Sequence, residues 1–276
     1  MRIASRESVA FETSPFLKWA GGKRWLISNH NELLPTTYKK YYEPFLGGGA
    51  VFFCMKPKKS VLADINPDLI ETYQAIKDDW RSIADLIEKY HRAHSVEFYY
   101  KIRSQNFEDP VERAARFIYL NRTCWNGLYR VNLKGVFNVP IGTKTNVVLN
   151  TDSFEGVSNA LKNTKLKVGD FEEIIQLTKA DDFLFVDPPY TVKHNFNGFI
   201  KYNNTLFSWD DQIRLRDCIQ DAVSRGVKVL LTNADHPSVR ELYEGIGEML
   251  SLDRLSVISG NAGGRGRFSE LIIKCY

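Results

Sequence analysis

The chain of 276 residues is poor in the residues that build metal and redox centres, with 4 cysteines, 5 histidines and 3 methionines. Cys54, Cys124, Cys218 and Cys275 lie far apart without paired spacing, so neither a zinc site nor a redox dithiol is supported; buried, incidental thiols are expected. His91 and His94 are the only near neighbours among the histidines, and a helix would set them on one face with Lys89 and Arg92. That is a solvated face, and no metal is expected. No run of ~20 apolar residues exists to span a bilayer, which excludes a membrane partner. The opening Met1-Arg2-Ile3-Ala4-Ser5-Arg6-Glu7 lacks the apolar segment of a secretory signal. The expected location is cytoplasmic. A formal charge of +4 is too modest to announce a nucleic-acid partner by itself.

What remains is an ordinary globular composition, 43% hydrophobic and 25% charged, long enough for one large α/β domain or one domain with an insertion. Its organising stretch is Asp187-Pro188-Pro189-Tyr190, which ends the compact apolar run Phe183-Leu184-Phe185-Val186. The run reads as one buried strand. The acid therefore sits at a strand's carboxyl end, the edge at which open α/β sheets bind ligands. Two successive prolines forbid both a continuing ladder and an immediate helix. A carbonyl, a carboxylate and an aromatic ring are thereby presented together, a set suited to holding a planar exocyclic amine. The lone pair of such an amine is delocalised into its ring, and an acceptor on each N–H draws the nitrogen toward an attacking geometry. Asp187 and the Pro188 carbonyl are candidate acceptors, with Tyr190 stacking on the base and tolerating a nearby methyl-sulfonium. A strand ending in a capping Asp and a Pro-Pro turn fits the same four residues, so the context decides.

In chain order, Phe16 to Lys23 packs an aromatic, two glycines and two lysines ahead of a helix expected from Arg24 to Leu34, stopped by Pro35. The Gly-Gly-Lys invites a phosphate-loop reading. That reading fails, because Arg24 stands where a Ser or Thr must bind Mg²⁺ and the first glycine of the motif is missing. Tyr41 to Phe53 reads as a short strand, the turn Gly47-Gly48-Gly49 and a short apolar helix. Val61 to Asp64 is a second strand ending in an acid, and Asn66-Pro67 is a helix start. Strand, glycine loop, helix, strand and terminal acid describe a Rossmann-like nucleoside site, with Asp64 on the ribose hydroxyls.

From Asp68 to about Asn121 the pattern is helical, including Trp80 to His91 and Pro110 to Leu120. Asn121 to Pro140 then breaks it with turn signals at Asn126-Gly127 and Lys134-Gly135 between β-prone segments. This ribbon mixes Arg122, Arg130 and Lys134 with Trp125, Tyr129 and Phe137. Such a mixture suits duplex recognition, since Arg reads guanine O6 and N7 and a large side chain wedges into an opened stack; a surface hairpin with solvated arginines is the plainer reading. After a helix near Ser153 to Leu161, Leu166 to Val168 followed by Gly169-Asp170-Phe171 repeats the strand-then-acid theme. Asp170 either accepts the amine of a cofactor adenine, with Phe171 beside its ring, or caps a helix. Thr191 to Leu206 is a long polar loop of the kind that binds or covers a site. A helix capped by Ser208 runs to about Ser224, Val227 to Asn233 is a strand, and His236 to Tyr243 is helical. Glu248 to Ile258 and Leu271 to Cys275 close the chain as two strands joined by a basic glycine loop that carries Arg265 and Arg267 and could track phosphates. The count is about seven strands, and the expected architecture is α/β: a mostly parallel doubly wound sheet with a late antiparallel hairpin.

Together these motifs resemble the Dam-like family of DNA adenine-N6 methyltransferases, of the alpha group and D12 class, from Phe16 to the C-terminus. The resemblance is carried by Lys18-Trp19-Ala20-Gly21-Gly22-Lys23, by Glu43-Pro44-Phe45-Leu46-Gly47-Gly48-Gly49, by Asp64, and by Asp187 to Tyr190, in that order. It implies a catalytic S-adenosylmethionine-dependent domain of residues 1–67 and 161–276, and an inserted helical target-recognition subdomain of residues 68–160 carrying a β-hairpin. It also implies that Trp19, Lys23, Glu43, Phe45, Gly47, Asp64 and Asp187 line S-adenosylmethionine, that Asp170 and Phe171 hold its adenine, and that Asp187, Pro188, Pro189 and Tyr190 grip a flipped base. Double-stranded DNA is the implied partner, bound by a monomer or weak dimer. By the same resemblance Arg130 and Lys18 read the outer guanines of GATC, Leu128 and Trp125 stand at wedge positions, and Pro140 lies where a thymine is touched. Arg122, Asn126 and Asn138 belong to the same ribbon, and Arg265 and Arg267 take a phosphate role. A transferase of another target, cytosine N4 or RNA, and a DNA-binding protein with a dead site stay open. Aspartate at position 187 favours adenine, and the intact Asp64, Asp187 and Tyr190 favour an active enzyme.

Overall fold

The structure is a computed structural model; it describes residues 13–127, 129–132, 135–193, 207–255 and 267–276, without the side chains of 254, 255, 267 and 268. Its strands are β1 (Tyr41–Glu43), β2 (Ser60–Asp64), β3 (Thr164–Val168), β4 (Phe183–Val186), β5 (Lys228–Ala234), β6 (Glu248–Leu255) and β7 (Arg267–Cys275). They form one mixed sheet in the order β3-β2-β1-β4-β5-β7-β6. Pairing is parallel between β1 and β2, β1 and β4, and β4 and β5, and antiparallel where β7 joins β5 and β6. The expected doubly wound sheet with a late antiparallel hairpin is what forms. Because β1 has β2 on one side and β4 on the other, the strand order reverses direction there, the kind of position at which open α/β sheets bind ligands.

The chain divides into two compact units, one of residues up to Asn29, Gly47–Lys58 and Asn66–Val168, the other of His30–Leu46, Lys59–Ile65 and Gly169–Tyr276. In the second unit all four residues of β4 are buried, as a continuous apolar run requires of a central parallel strand. Val61, Ala63, Leu184, Val186, Val229 and Leu231 form a core with Ile174 and Ile175 of α7 (Phe171–Gln176) and with Leu215 and Ile219 of α8 (Trp209–Ser224). The start of α8 is fixed by a reciprocal cap: Ser208 Oγ accepts from Asp211 N at 3.1 Å, and Asp211 Oδ2 accepts from Ser208 N at 2.8 Å.

The first unit is built on helices. Asn66 caps α3 (Pro67–Ala93), which breaks at Asp79 with φ −144° and ψ 70°, so that its second segment starts at Trp80 as the periodicity predicts. Against it pack α5 (Pro110–Thr123) and α6 (Phe154–Leu161). The helix α4 (Val96–Ser104) places Tyr99 in an aromatic group with Tyr119, and Tyr119 also meets Tyr90 and Phe98. Helix α5 runs three residues past the expected end at Leu120, because Asn121, Arg122 and Thr123 all find tertiary partners inside the unit and are buried. Thr123 Oγ1 donates back to the Tyr119 carbonyl at 2.7 Å. Strand β3 likewise starts two residues before the expected Leu166. The helix expected from Arg24 to Leu34 is α-helical only over Arg24–His30 and continues as a 3-10 turn, Asn31–Leu33. Among the described residues no helix is long and apolar enough to cross a membrane.

Candidate active site and recognition ribbon

In the second unit the register gathers the acids. Glu43 pairs in register with Leu62, and Tyr42 with Leu184, so Asp64 and Asp187 each lie two residues beyond the row of Glu43 at the carboxyl ends of neighbouring strands. Residues two apart on a strand share a face. Glu43 itself is buried, and its Oε2 accepts from the Tyr41 hydroxyl at 2.8 Å. Burial holds its carboxyl well above the usual carboxylate range; the Tyr41 bond opposes this, and the negative charges of Asp187 and Asp64 add to it. Asp64 is half-buried, its backbone carbonyl accepting from Gly169 N at 3.2 Å, and the next residue, Ile65, is 68% exposed. A carboxylate and an exposed apolar side chain thus stand side by side at the carboxyl end of β2.

Asp187 is half-buried at the carboxyl end of β4, and its Oδ1 accepts from Thr232 Oγ1 at 2.6 Å. Pro188 is buried, so the turn is part of the packed unit and its carbonyl has a fixed direction. Tyr190 donates its phenolic hydrogen to Glu270 Oε2 at 2.8 Å. Burial raises the Tyr190 phenol well above its ordinary range, and the charges of Asp187 and Glu270 push the same way. Thr232 and Glu270, the partners in these two bonds, are marked in the sequence only as polar residues inside β5 and β7 beside apolar runs.

Asp170 has both carboxylate oxygens engaged. Oδ1 caps α7 through Glu172 N at 2.9 Å and accepts from Arg214 Nη1 at 2.7 Å, while Oδ2 accepts from Arg214 Nη2 at 2.9 Å. Burial would raise this carboxyl, but the Arg214 bonds and the capped N–H outweigh it and the net direction is down. The capping reading describes Asp170. Phe171 is buried, stacked on Phe45 with centroids 5.5 Å apart, and covered by the Arg214 guanidinium 4.2 Å from its centroid. Phe207 closes the group edge-on to Phe45 at 5.7 Å. Phe45 and Phe171 thus pack together in this group.

In the first unit, Trp19 lies parallel to Tyr129 at 6.2 Å, with an interplanar angle of 19°. Gly47 has φ +45°, and a Cβ there would come within 2.6 Å of the Trp19 indole. Only glycine satisfies both demands. Lys23 is buried and its Nζ donates to the Gly21 carbonyl at 2.6 Å. Lys18 is tied down by a reciprocal amide clasp: its N–H donates to Asn121 Oδ1 at 2.8 Å, and Asn121 Nδ2 donates back to the Lys18 carbonyl at 2.8 Å. Its Nζ donates to the Arg122 carbonyl at 2.9 Å, and burial lowers its pKa.

The ribbon is held by isolated bridges, Cys124 to Ile141 and Val131 to Phe137, and by a 3-10 turn at Trp125–Gly127, in place of the short strands expected. Tyr99 Oη and Arg103 Nη1 anchor it by donating to the Val139 carbonyl at 2.9 and 3.2 Å. Tyr129 packs on Phe117 and Phe137 and its hydroxyl bonds to Asp68. This leaves Trp125, Asn126, Arg130, Asn138 and Pro140 exposed, with Trp125 N donating to the Pro140 carbonyl and Arg130 Nε to Asn138 Oδ1 at 3.3 Å. Asn126 has φ +56°, the left-handed turn its dipeptide with Gly127 announces.

Arg122 does not stand with them. Its side chain is 0% exposed, and it donates from Nη1 and Nη2 to Asp152 Oδ2 and Oδ1 at 2.7 and 2.6 Å and to the carbonyls of Val147 and Phe16 at 2.6 and 2.9 Å. A fork with every donor used inside the unit has none left for DNA. Because α5 runs on to Thr123, Arg122 is a helical residue turned into the unit and not part of the ribbon. Leu128 and Arg265 lie outside the described residues, and Arg267 is described only as backbone of β7. Among the described residues no group of three or more His, Cys, Asp or Glu is placed to hold a metal ion.

Against this geometry the relatives are informative. Residues 19–258 match the model of the D12 class N6 adenine-specific DNA methyltransferases. The chain is 37% identical to a type II methyltransferase of Lactococcus lactis, M1.LlaDCHI, over 95% of each chain. It is 40% identical to M.MjaIII of Methanocaldococcus jannaschii, over 85% of this chain and 89% of that one, and 32% identical to a DNA adenine methylase of Vibrio cholerae over 93% and 94%. The chain belongs to the D12 class N6 adenine-specific DNA methyltransferase family, and is an enzyme that methylates adenine in DNA. Membership carries dependence on S-adenosylmethionine with it.

Proposed function

We propose that the protein transfers a methyl group from S-adenosylmethionine to N6 of an adenine flipped out of duplex DNA, within GATC. The observation that supports this most directly is the pair of tethered side chains in the turn after β4: Asp187 held at one oxygen by Thr232, Tyr190 held at its hydroxyl by Glu270. The Asp187 carboxylate and the Pro188 carbonyl accept the two N–H groups of the adenine amine, and Tyr190 stacks on the ring. Fixed acceptors need no reorganisation as positive charge develops on the nitrogen. With an electrophilic methyl supplied opposite it, the amine would be held for attack by these acceptors, and the N6 proton would leave along its bond to Asp187.

S-adenosylmethionine supplies an electrophilic methyl on a cationic sulfur. Asp64 and Asp187 make the carboxyl edge of the sheet electronegative, which suits that cation, and Asp64 with Ile65 suits its nucleoside. Trp19, Lys23 and Gly47 are assigned to the cofactor by the family's motifs. GATC rests on the resemblance of the ribbon, with Arg130 and Lys18 as readers of the outer guanines, Trp125 as the wedge and Pro140 against a thymine. Flipping a paired base costs a few kcal/mol, which the wedge and phosphate contacts offset. The test is transfer of labelled methyl to two duplexes differing only in one GATC site, with wild type and Asp187→Ala. Label on the GATC duplex alone, lost in the variant, is expected; equal label on both keeps the enzyme and discards the specificity.

A further inference from the structure

Glu270 is a buried acid in the middle of a paired strand. In register it lies opposite Ala234 of β5 on one side and Leu252 of β6 on the other, and only 2% of its surface is exposed. Thr232 is opposite Ile272, two residues along both strands, so Thr232 and Glu270 project from one face of the β5–β7 pair. From that face Thr232 bonds Asp187 at 2.6 Å and Glu270 bonds Tyr190 at 2.8 Å. The turn that carries Asp187 and Tyr190 has no ladder of its own, and each of its two polar side chains is tied to a strand that does.

We propose that Glu270 is a positioning residue that fixes the ring of Tyr190 in the plane on which the target base stacks. The physical reason lies in the phenol. Its O–H stays close to the ring plane through conjugation, so an acceptor at a fixed point selects both the tilt of the ring and its rotation about the Cβ–Cγ bond. Glu270 is such a point, since backbone pairing on both sides holds its Cα. The inference rests on the reading of Tyr190 as the stacking face.

A double-mutant cycle with Tyr190→Phe and Glu270→Ala tests it, with Glu270→Gln as the conservative variant. Loss of this bond is expected to lower kcat by about 10-fold to 100-fold with the KM for S-adenosylmethionine little changed. Glu270→Gln keeps an acceptor oxygen in place and is expected to recover to within about threefold of wild type. The double variant is expected to be no slower than the slower single one, because both remove one interaction. Tyr190→Phe breaks the bond from the other side without leaving a cavity, so the cycle does not depend on Glu270→Ala folding well. Independently of turnover, ¹³C NMR of labelled tyrosine rings in DNA-free protein should show the Tyr190 signal averaged in Glu270→Ala and restored in Glu270→Gln. An unmoved Tyr190 signal, or losses that multiply in the double variant, overturns the proposal even if the wild type methylates adenine. A wild type that methylates no DNA, with the Tyr190 signal responding to Glu270, defeats the functional reading and leaves the anchor standing.

Discussion

Asp187 stands one row beyond the paired residues Val186 and Leu231, level with Thr232, whose hydroxyl donates to it at 2.6 Å. A side chain from the next strand thus fixes one oxygen of the Asp187 carboxylate. Thr232 is fully buried, so its hydroxyl serves protein geometry and not solvent.

Thr232→Val keeps the shape and removes the donor. A hydrogen bond to a charged group is worth ~1.5–3 kcal/mol, so single-turnover methyl transfer should slow by about 10-fold to 100-fold, while Thr232→Ser stays near wild type. Equal rates for wild type and the Val variant would remove Thr232 from the mechanism.

Arg122→Ala should destabilise the fold and leave sequence preference untouched. Asp152, 11% exposed, would lose its bidentate partner, and breaking a buried pair from one side costs ~3–5 kcal/mol. Urea denaturation gives the stability, and competition between matched and mismatched duplexes gives the preference. A variant of full stability and altered preference would return Arg122 to the DNA surface.

Arg130→Ala should do the reverse. The side chain is exposed and its bond to Asn138 is a long one at 3.3 Å, so folding should be unchanged within ~0.5 kcal/mol. Discrimination at one outer base pair should fall by roughly 1–3 kcal/mol. Uniform loss on every sequence, with a shallower salt dependence, would instead mark a phosphate contact.

Asp235, at the end of β5, gives an acid-limb prediction. The hydrogen bond from Arg240 Nε at 2.6 Å is the largest cause holding its carboxyl down at about 2, with the hydroxyls of Ser251 and Ser269 adding to it against the effect of burial. A depressed carboxyl stabilises the fold above the unfolded value of ~4, and that contribution drains away as pH falls toward about 2. Asp235→Asn should therefore cost on the order of 1–2 kcal/mol at pH 7, and the gap to wild type in urea midpoint should narrow steadily below pH 4. A gap that is constant from pH 7 to pH 2 would show that the charge is not its source.

Local chemistry alone was enough to announce the sheet and its carboxyl edge. Phe183 to Val186 is an unbroken apolar run closed by two prolines, Val61 to Asp64 ends in an acid before an Asn-Pro helix start, and each places its acid at a strand's end without help from elsewhere. The helix starts at Asn66 and Ser208 were legible for the same reason: a cap is a contact between residues two or three apart. What folding added depends on residues far apart in sequence. Arg122 and Asp152 are thirty positions apart, Asp170 and Arg214 forty-four, Tyr190 and Glu270 eighty, and no periodicity reports such a meeting. An arginine in a basic, aromatic ribbon looks alike whether it faces DNA or a buried carboxylate. Burial decides between them, because a guanidinium withdrawn from water must spend its donors on the protein, and burial belongs to the packed chain.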